Sequence, residues 1–466
     1  MSLHVFNTMS RRLEPFEPIE AGRVRMYTCG PTVYNYAHVG NLRAYMFEDL
    51  LRRYLRFRGF DVFQVMNLTD VDDKTIRSAR EEGLSLNMFT QRYKDAFFED
   101  LRILGIEPAD KYPAATDHIP QMIELIQRLF EKDLAYRSDD GSVYFSIARF
   151  PEYGKLAHLC MDGLRHGARV NQDEYEKEHV GDFALWKAWT EEDGDVGWDS
   201  PWGRGRPGWH IECSAMSMSY LGESFDLHCG GVDNIFPHHE DEIAQSEGAT
   251  GKPFARYWMH NAHLIVEGSK MSKSLGNFYT LRDLLAKGYS GREVRYLLVA
   301  THYRNTLNFT FHGLDAARAA LARLDEFRQR LRDTAASTGA GALPDWAAAR
   351  QREFVEQMDN DLNVSGALAA LFELVSEGNR LLDAGQLSAA EAAAVGELLS
   401  DWDRVLGVLT PAQEEAPPDV LERVAARAAA REAREWAEAD RIRDELLAMG
   451  WSVKDTPQGP RLKRSA

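Results

Sequence analysis

Four side chains with metal-ligand chemistry lie in three short stretches of the 466-residue chain: Cys29, Cys213, and His238 with Glu242. Residues four apart on a helix share a face, so His238 and Glu242 can aim at one point. Two thiolates, an imidazole and a carboxylate make a shell that suits tetrahedral zinc. No Cys-x-x-Cys pair fixes the set, three segments must converge, and Cys160, Cys229 and His239 are competing donors. A buried free thiol is the ordinary alternative for each cysteine. A metalloprotease helix of the His-Glu-x-x-His type is excluded, because Ile243 stands where the second histidine is required.

A second group has the chemistry of phosphate binding. His38 and Gly40-Asn41 stand where a loop opens into a helix, and unpaired N–H groups at the positive end of a helix dipole suit polyphosphate. His38 can donate to a phosphate oxygen, and Gly40 lets a base or sugar lie on bare backbone. Lys270 and Lys273, in Gly268-Ser-Lys-Met-Ser-Lys-Ser-Leu-Gly-Asn277, can clamp phosphate oxygens as point charges on a closing loop. Gly230-Gly231-Val232-Asp233 permits close backbone approach, with a carboxylate for ribose hydroxyls. Taken singly, each has a plain structural counterpart: a helix entry, a solvated lysine turn, a tight turn with a capping Asp.

The elements that position these residues follow from periodicity. Val24, Met26 and Thr28 alternate with Arg25 and Tyr27, which predicts a strand ending at Cys29. Leu42, Tyr45, Met46, Leu50 and Phe57 recur at helical spacing from Gly40-Asn41 until Gly59, and Asp61–Thr69 reads as a buried strand. This is a βαβ unit. From Lys74 to Arg149 the pattern is mostly helical, with an amphipathic helix over Ile119–Leu134 and a strand over Val143–Ile147. Gly163–Gly208 is polar and broken by Gly and Pro, an insertion or a mobile loop. A helix over His210–Tyr220, a strand over Phe225–Cys229 and a helix from Pro237 to Glu247 resume the alternation, as two halves of one parallel sheet would. From Leu281 onward only helices are expected, with Leu362, Ala369, Leu371, Phe372 and Val375 on one buried side. Breaks fall at Thr334–Pro344 and Glu414–Pro418, and Leu421–Ala466 starts as an Ala/Arg/Glu-rich helix and ends in a basic tail with Arg461, Lys463 and Arg464.

Composition bounds the reading. The length calls for more than one domain. The formal charge is −17, which excludes a uniformly basic nucleic-acid coat but not a local positive groove. The opening residues lack a signal peptide's sections and no run is long enough to span a membrane, so a cytoplasmic location is expected. Four cysteines are too few for a disulfide framework.

Taken together, the His38-x-Gly-Asn41 helix start and the Lys270-Met-Ser-Lys-Ser loop resemble the paired motifs of class I aminoacyl-tRNA synthetases. With Tyr27-Thr-Cys-Gly-Pro-Thr32, Asn67-Leu-Thr-Asp-Val-Asp-Asp-Lys74, Gly208-Trp-His-Ile-Glu-Cys213, Phe236-Pro-His-His-Glu240, Met358-Asp-Asn-Asp-Leu-Asn363 and Ala439-Asp-Arg-Ile-Arg-Asp444, the resemblance narrows to the cysteinyl-tRNA synthetases and spans nearly the whole chain. Two positions depart from that family: Asn41 stands where its motif ends in His, and Cys229 where Gly is common.

The resemblance implies an α/β fold. A Rossmann-like parallel-sheet catalytic domain, 1–74 and 209–280, is split by a connective insertion, 75–208. A stem-contact region at 281–333, a helical bundle at 334–412 and an anticodon-binding end at 413–466 complete it. It implies ATP-dependent activation of L-cysteine with Mg(II), then transfer to tRNA(Cys) by a monomer, with one Zn(II) on Cys29, Cys213, His238 and Glu242. His38, Gly40, Asn41, Gly230, Gly231, Asp233, Lys270 and Lys273 would meet ATP, and Thr69 and Trp209 would shape the amino-acid pocket. Zinc makes sense as a filter, because apolar pockets separate near-isosteres such as serine and cysteine poorly, whereas a soft cation favours thiolate. No hydrolytic editing domain is then needed. Two other readings share these motifs: a ligase passing cysteine to the amine of a small sugar-inositol acceptor, and a non-catalytic, zinc-stabilised RNA-binding protein. The segment after Pro418 favours a synthetase over the first, and the intact Lys273, His38 and ligands over the second.

Overall fold

Strand and helix alternate around one four-stranded sheet. The computed structural model describes residues 2–159, 169–170, 181–272, 275–335, 339–409, 418–456 and 459–464. Strand β1 (Arg23–Thr28) leads to helix α1 (Val39–Phe57) and strand β2 (Asp61–Met66). After the insertion come α2 (Trp209–Leu221), β3 (Phe225–Gly231), α3 (Glu240–Thr250) and β4 (Ala255–Asn261). The order across the sheet is β4-β3-β1-β2, and every pairing is parallel. The chain therefore steps outward to β2 from β1 and to β4 from β3. The crevice between β1 and β3 is a topological switch point, where ligands gather at the carboxyl ends of the strands.

The strands are short and apolar on both faces because helices cover both. Val24, Met26, Leu227 and Met259 are buried with Leu42, Met46 and Leu50 of α1 on one side, while Tyr27, Val65, Phe225 and Trp258 meet Cys213 and Ile243 on the other. Within β1 the side chains alternate between these two layers, so Met26 and Thr28 share one face and Tyr27 and Cys29 the other.

Several expectations need correction. The helix expected from Pro237 begins at Glu240, because Ile235–His239 forms a wider turn in which Phe236 is extended (φ −142°, ψ 130°). His238 and Glu242 nonetheless touch, Nε2 to Oε1 at 3.1 Å. The polar stretch 163–208 lies partly outside the described residues, but Asp182–Ala188 is a strand, buried from Asp182 through Trp186. It pairs with Val143–Phe145, Arg169–Val170 and Gly205–Pro207 in an insertion sheet, whose apolar core hides in a sequence rich in loop residues.

Beyond Leu281 the chain is not purely helical. Leu307–Phe309 pairs in parallel with Leu264–Val266, and Trp451–Thr456 pairs with Gly459–Arg464. The presumed basic tail is thus the second strand of a hairpin. The long helices Phe311–Ala335, Asp345–Asp359, Val364–Asp383 and Ala389–Leu406 pack together, with Phe354 stacked on Trp402 at 4.4 Å between ring centroids. Leu362, Leu371 and Val375 are buried as expected, but Ala369 is exposed, since the inward stripe of its helix runs through Val364, Ala367, Leu368, Leu371 and Leu374.

The chain divides into two compact units, residues 1–410 and 411–466. In the second, helices Pro418–Glu432 and Trp436–Ala448 and the hairpin enclose Val420, Ile442, Leu446 and Trp451. Trp451 is a core residue. Trp436 is 56% exposed, with the Arg431 guanidinium 5.7 Å from its ring.

Candidate active site

Cys29 follows β1 directly, and its backbone N–H donates to the Cys229 carbonyl of β3 at 3.3 Å, which holds it at the switch point. Cys213 is carried in on α2, His238 on the turn after β3, and Glu242 on the first turn of α3. One donor atom from each of these four lies within 4.8 Å of every other. A second, overlapping set within the same limit is Cys29, His228, His239 and Glu242. Of the competing donors, His239 is therefore close, with Nε2 3.2 Å from Cys29 Sγ. Cys229 is buried but belongs to neither set, and Cys160 lies outside the described residues.

These donors sit among further histidines. His228 Nε2 lies 2.8 Å from Glu242 Oε2, His210 Nδ1 lies 2.8 Å from His238 Nδ1, and His260 Nε2 lies 2.8 Å from His239 Nδ1. Trp209 stacks on His238 at 4.5 Å, and Trp258 stacks on His228 at 4.5 Å. Sequence reasoning missed His210, His228 and His260; the signal was the sheer number of histidines between 210 and 260.

Burial sets the charge state. It pushes the Glu242 carboxyl up to about 8, against a smaller opposing pull from His238. It pushes the His228 and His238 imidazoles down to about 3 and His239 well below its usual value. The Cys213 thiol is raised well above the ordinary range by its hydrogen bond to Cys29 and by burial. In Cys29 the Cys213 hydrogen bond pulls downward, but burial and Glu242 outweigh it and the thiol ends up raised. A buried pocket of two thiols, neutral imidazoles and a carboxyl is what a dication would ionise. The fit is supported by Glu242 Oε1, which is buried without a hydrogen-bond partner while converging with the other donors. The donor set suits zinc.

Beside this cluster, Thr69 is buried, accepts from Asn67 Nδ2 at 3.2 Å, and is tied by its backbone to Pro31 and Val33. Glu212, next to Cys213, is fully buried and raised well above its usual range by burial, the Cys213 thiol and Asp70.

The helix start differs in detail from expectation. His38 Nδ1 itself accepts from the Gly40 and Asn41 backbone N–H groups at 3.1 and 3.2 Å, and Asn41 Oδ1 accepts from the His38 N–H at 3.2 Å. Two of the helix-start donors and the Asn41 carbonyl oxygen are thus spent on a capping box. In a neutral ring this leaves the proton on Nε2. Gly40 leaves room for this closeness: a Cβ there would sit 2.9 Å from His38 Cε1.

The lysine loop closes on the same place. The Val39 N–H donates to Tyr279 O at 2.9 Å, the His38 ring meets Phe278 edge-on at 5.1 Å, and a Gly40 Cβ would touch Met271 Cε at 3.4 Å. Asn277 staples the loop by accepting from the Ser272 N–H and donating to Lys270 O. Lys270 is exposed, and Lys273 lies outside the described residues. Gly230 and Gly231 end β3, where a Cβ on Gly230 would meet His239 Cε1 at 2.8 Å. Asp233 is exposed on the rim, 3.2 Å from His263 Nδ1.

Residues 15–319 match the family model for the class I (C) tRNA synthetase catalytic domain, 353–410 the DALR domain, and 414–460 the cysteinyl-tRNA ligase anticodon binding domain. The chain is 52% identical to the cysteine–tRNA ligase of Protochlamydia amoebophila, covering 99% of this chain and 98% of the relative. It is also 52% identical to that of Chlamydia muridarum over the full length of both. Among solved structures it resembles Mycobacterium tuberculosis methionyl-tRNA synthetase in complex with methionyl-adenylate, with TM-score 0.62, 18% identity, and coverage of 83% of this chain and 90% of that one. An Agrobacterium radiobacter LeuRS in a ternary complex gives TM-score 0.61 at 13% identity, covering 84% and 85%. These two likenesses establish the class I fold alone. Family models and full-length relatives together place the chain in the cysteine–tRNA ligase family, the ATP-dependent aminoacyl-tRNA ligases of class I.

Proposed function

We propose that the chain activates L-cysteine with ATP and transfers it to the 3′-terminal ribose of tRNA(Cys), with Zn(II) held by Cys29, Cys213, His238 and Glu242. The observation that carries this reading is the convergence of those four donors within 4.8 Å at the end of β1, the same strand that leads into His38 and α1. When bound, zinc supplies a soft cationic partner for the substrate thiolate that a serine hydroxyl does not match. Trp209, stacked on His238, and buried Thr69 shape the pocket around the substrate's short side chain.

In the first step a carboxylate oxygen of cysteine attacks the α-phosphorus of ATP and pyrophosphate leaves. His38 Nε2–H donates to a phosphate oxygen, while Lys270 and Lys273 offset charge building toward pyrophosphate together with Mg(II). Gly230 and Gly231 let the nucleoside lie against β3, and Asp233 takes ribose hydroxyls. In the second step a ribose hydroxyl of the tRNA's terminal adenosine attacks the activated carbonyl and AMP leaves. Residues 411–466 serve the anticodon, and the enzyme works as a cytoplasmic monomer. No described helix is long and apolar enough to cross a membrane.

The test is attachment of labelled cysteine to total tRNA by purified protein with ATP and magnesium, leaving out small amine acceptors. Stable tRNA-dependent label is expected. Pyrophosphate exchange without label on tRNA would redirect the second step to another acceptor. A chelator-stripped sample that still preferred cysteine to serine by orders of magnitude would remove the zinc filter.

A further inference from the structure

The loop that joins Cys29 to His38 carries two tyrosines, and each has a cation over its ring. Lys74 Nζ lies 5.7 Å from the centre of the Tyr34 ring, and the Arg282 guanidinium lies 4.7 Å from that of Tyr36. The backbone fixes where both pairs sit. Thr32 bridges Thr69 in parallel, and Tyr34 follows Thr32 by two residues. His38 bridges Thr280 in the antiparallel sense; Tyr36 precedes His38 by two residues and Arg282 follows Thr280 by two. The first pair therefore adjoins Thr69 of the proposed amino-acid pocket, and the second adjoins His38 at the phosphate end.

More planar groups back the Tyr36 ring. It meets Tyr93 edge-on at 5.3 Å, and Tyr93 meets Phe89 at 5.2 Å. The Arg92 guanidinium lies 4.7 Å from the Tyr93 ring and 5.3 Å from that of Phe89. Helix Leu86–Ile103 carries these three residues, with Phe89 buried as their root. Arg282 is tied to Glu99 and Asp100, both at 2.6 Å, and Arg92 to Glu82 at 2.9 Å. These ion pairs spend the arginines' charge locally and hold the guanidinium groups against the rings. Tyr34 is half-buried, whereas Tyr36, the outermost ring, is 38% exposed. The loop does not need that ring as an anchor, since Val33, Ala37 and Val39 already tie it into the interior.

The second step of the proposed reaction brings a ribose hydroxyl of the tRNA's terminal adenosine to the activated carbonyl. That carbonyl lies between the amino-acid pocket and the phosphate end, hence along the loop from Cys29 to His38. The arriving strand is unpaired, and unpaired bases bind by stacking on aromatic rings and guanidinium planes, with cations for the backbone. Exposed Lys74 offers such a cation.

We infer that Tyr34 and Tyr36, backed by Lys74, Arg282 and Tyr93, form a stacking seat that guides the single-stranded 3′ end of tRNA into the crevice. The inference rests on the tRNA-charging reading above and adds the residues that receive the acceptor end. Stacking engages ring planes rather than base edges, so the seat positions the strand and does not choose among tRNAs.

The experiment measures affinity of the full chain for a tRNA(Cys) transcript by filter binding, with a non-hydrolysable cysteinyl-adenylate analogue present. Two RNAs are compared, the intact transcript and one lacking its single-stranded 3′ end. Wild type should bind the intact RNA more tightly. Tyr34→Ala and Tyr36→Ala should each weaken binding of the intact RNA about 5- to 150-fold, the range for losing one base–aromatic stack. Both should bind the shortened RNA as wild type does, which a general loss of structure would not produce. Tyr34→Phe and Tyr36→Phe keep the ring and should match wild type on both RNAs. Where an Ala variant does not fold, the Leu variant at that position, apolar but without the ring, takes its place with the same expectation. Equal weakening for both RNAs, no weakening at either tyrosine, or a loss in the Phe variants overturns the inference. Wild type that binds the two RNAs alike also overturns it and leaves the charging reading standing, whereas wild type that binds neither removes both.

Discussion

Gly40→Ala separates the stability of α1 from its role in binding nucleotide. An added Cβ would lie 2.9 Å from His38 Cε1 and 3.0 Å from Nδ1, closer than ordinary contact, with Met271 Cε at 3.4 Å behind it. The ring must retreat by a few tenths of an ångström, which strains or breaks the two cap bonds at 3.1 and 3.2 Å. Loss of an N-cap costs about 1 kcal/mol. Replacing Gly by Ala inside a helix returns up to about 1 kcal/mol. The two nearly cancel, so the thermal midpoint should stay within a few degrees of wild type. Activity should not be spared, because Nε2 moves with the ring. Misplacing one hydrogen bond to a charged phosphate costs about 1.5–3 kcal/mol. At 1.4 kcal/mol per tenfold, kcat/KM for ATP in cysteine-dependent pyrophosphate exchange should fall about 10- to 150-fold. A variant that melts well above wild type with exchange intact would refute the reasoning, because His38 would then be an ordinary cap.

Two further outcomes follow from the same structure. Glu242 is held up to about 8 and both site thiols are raised, so zinc must displace protons to bind; affinity should tighten as pH rises from 6 toward 9, and calorimetry in buffers of different ionisation enthalpy should show proton release. Flat affinity across that range would contradict the protonated pocket. Ending the chain after Thr410, at the boundary between the compact units, should preserve cysteine-dependent pyrophosphate exchange while sharply reducing charging of tRNA; parallel loss of both would contradict separate roles for the two units.

The parallel sheet and its helices were legible because their signals are local. Alternation in Val24–Thr28 and helical spacing from Leu42 to Phe57 mark elements whose faces are set by burial, and glycines mark the turns. The insertion sheet was not legible, because Asp182–Ala188 is ordered by partners from three other segments and lies in a stretch of loop-like composition. The basic end read as a tail because a hairpin with one apolar contact face, Val453 and Leu462, gives only a faint alternation.

For the site, residue types and spacing offered the four donors alongside Cys160, Cys229 and His239, the family resemblance singled the four out, and the helix start and lysine loop were expected to meet phosphate. Sequence by itself determined which chemistry the chain carries, since ligand type and charge belong to individual residues. Only the tertiary structure decided how that chemistry is arrayed. It turned His38 into the cap of its own helix, spent Asn41 on the same cap, and brought His239 Nε2 to 3.2 Å from Cys29 Sγ. It also surrounded the expected ligands with His210, His228 and His260. The physical reason is that hydrogen-bond direction and desolvation depend on neighbours distant in the chain: His210 meets His238 across 28 positions and His239 meets Cys29 across 210, and no local pattern records such contacts.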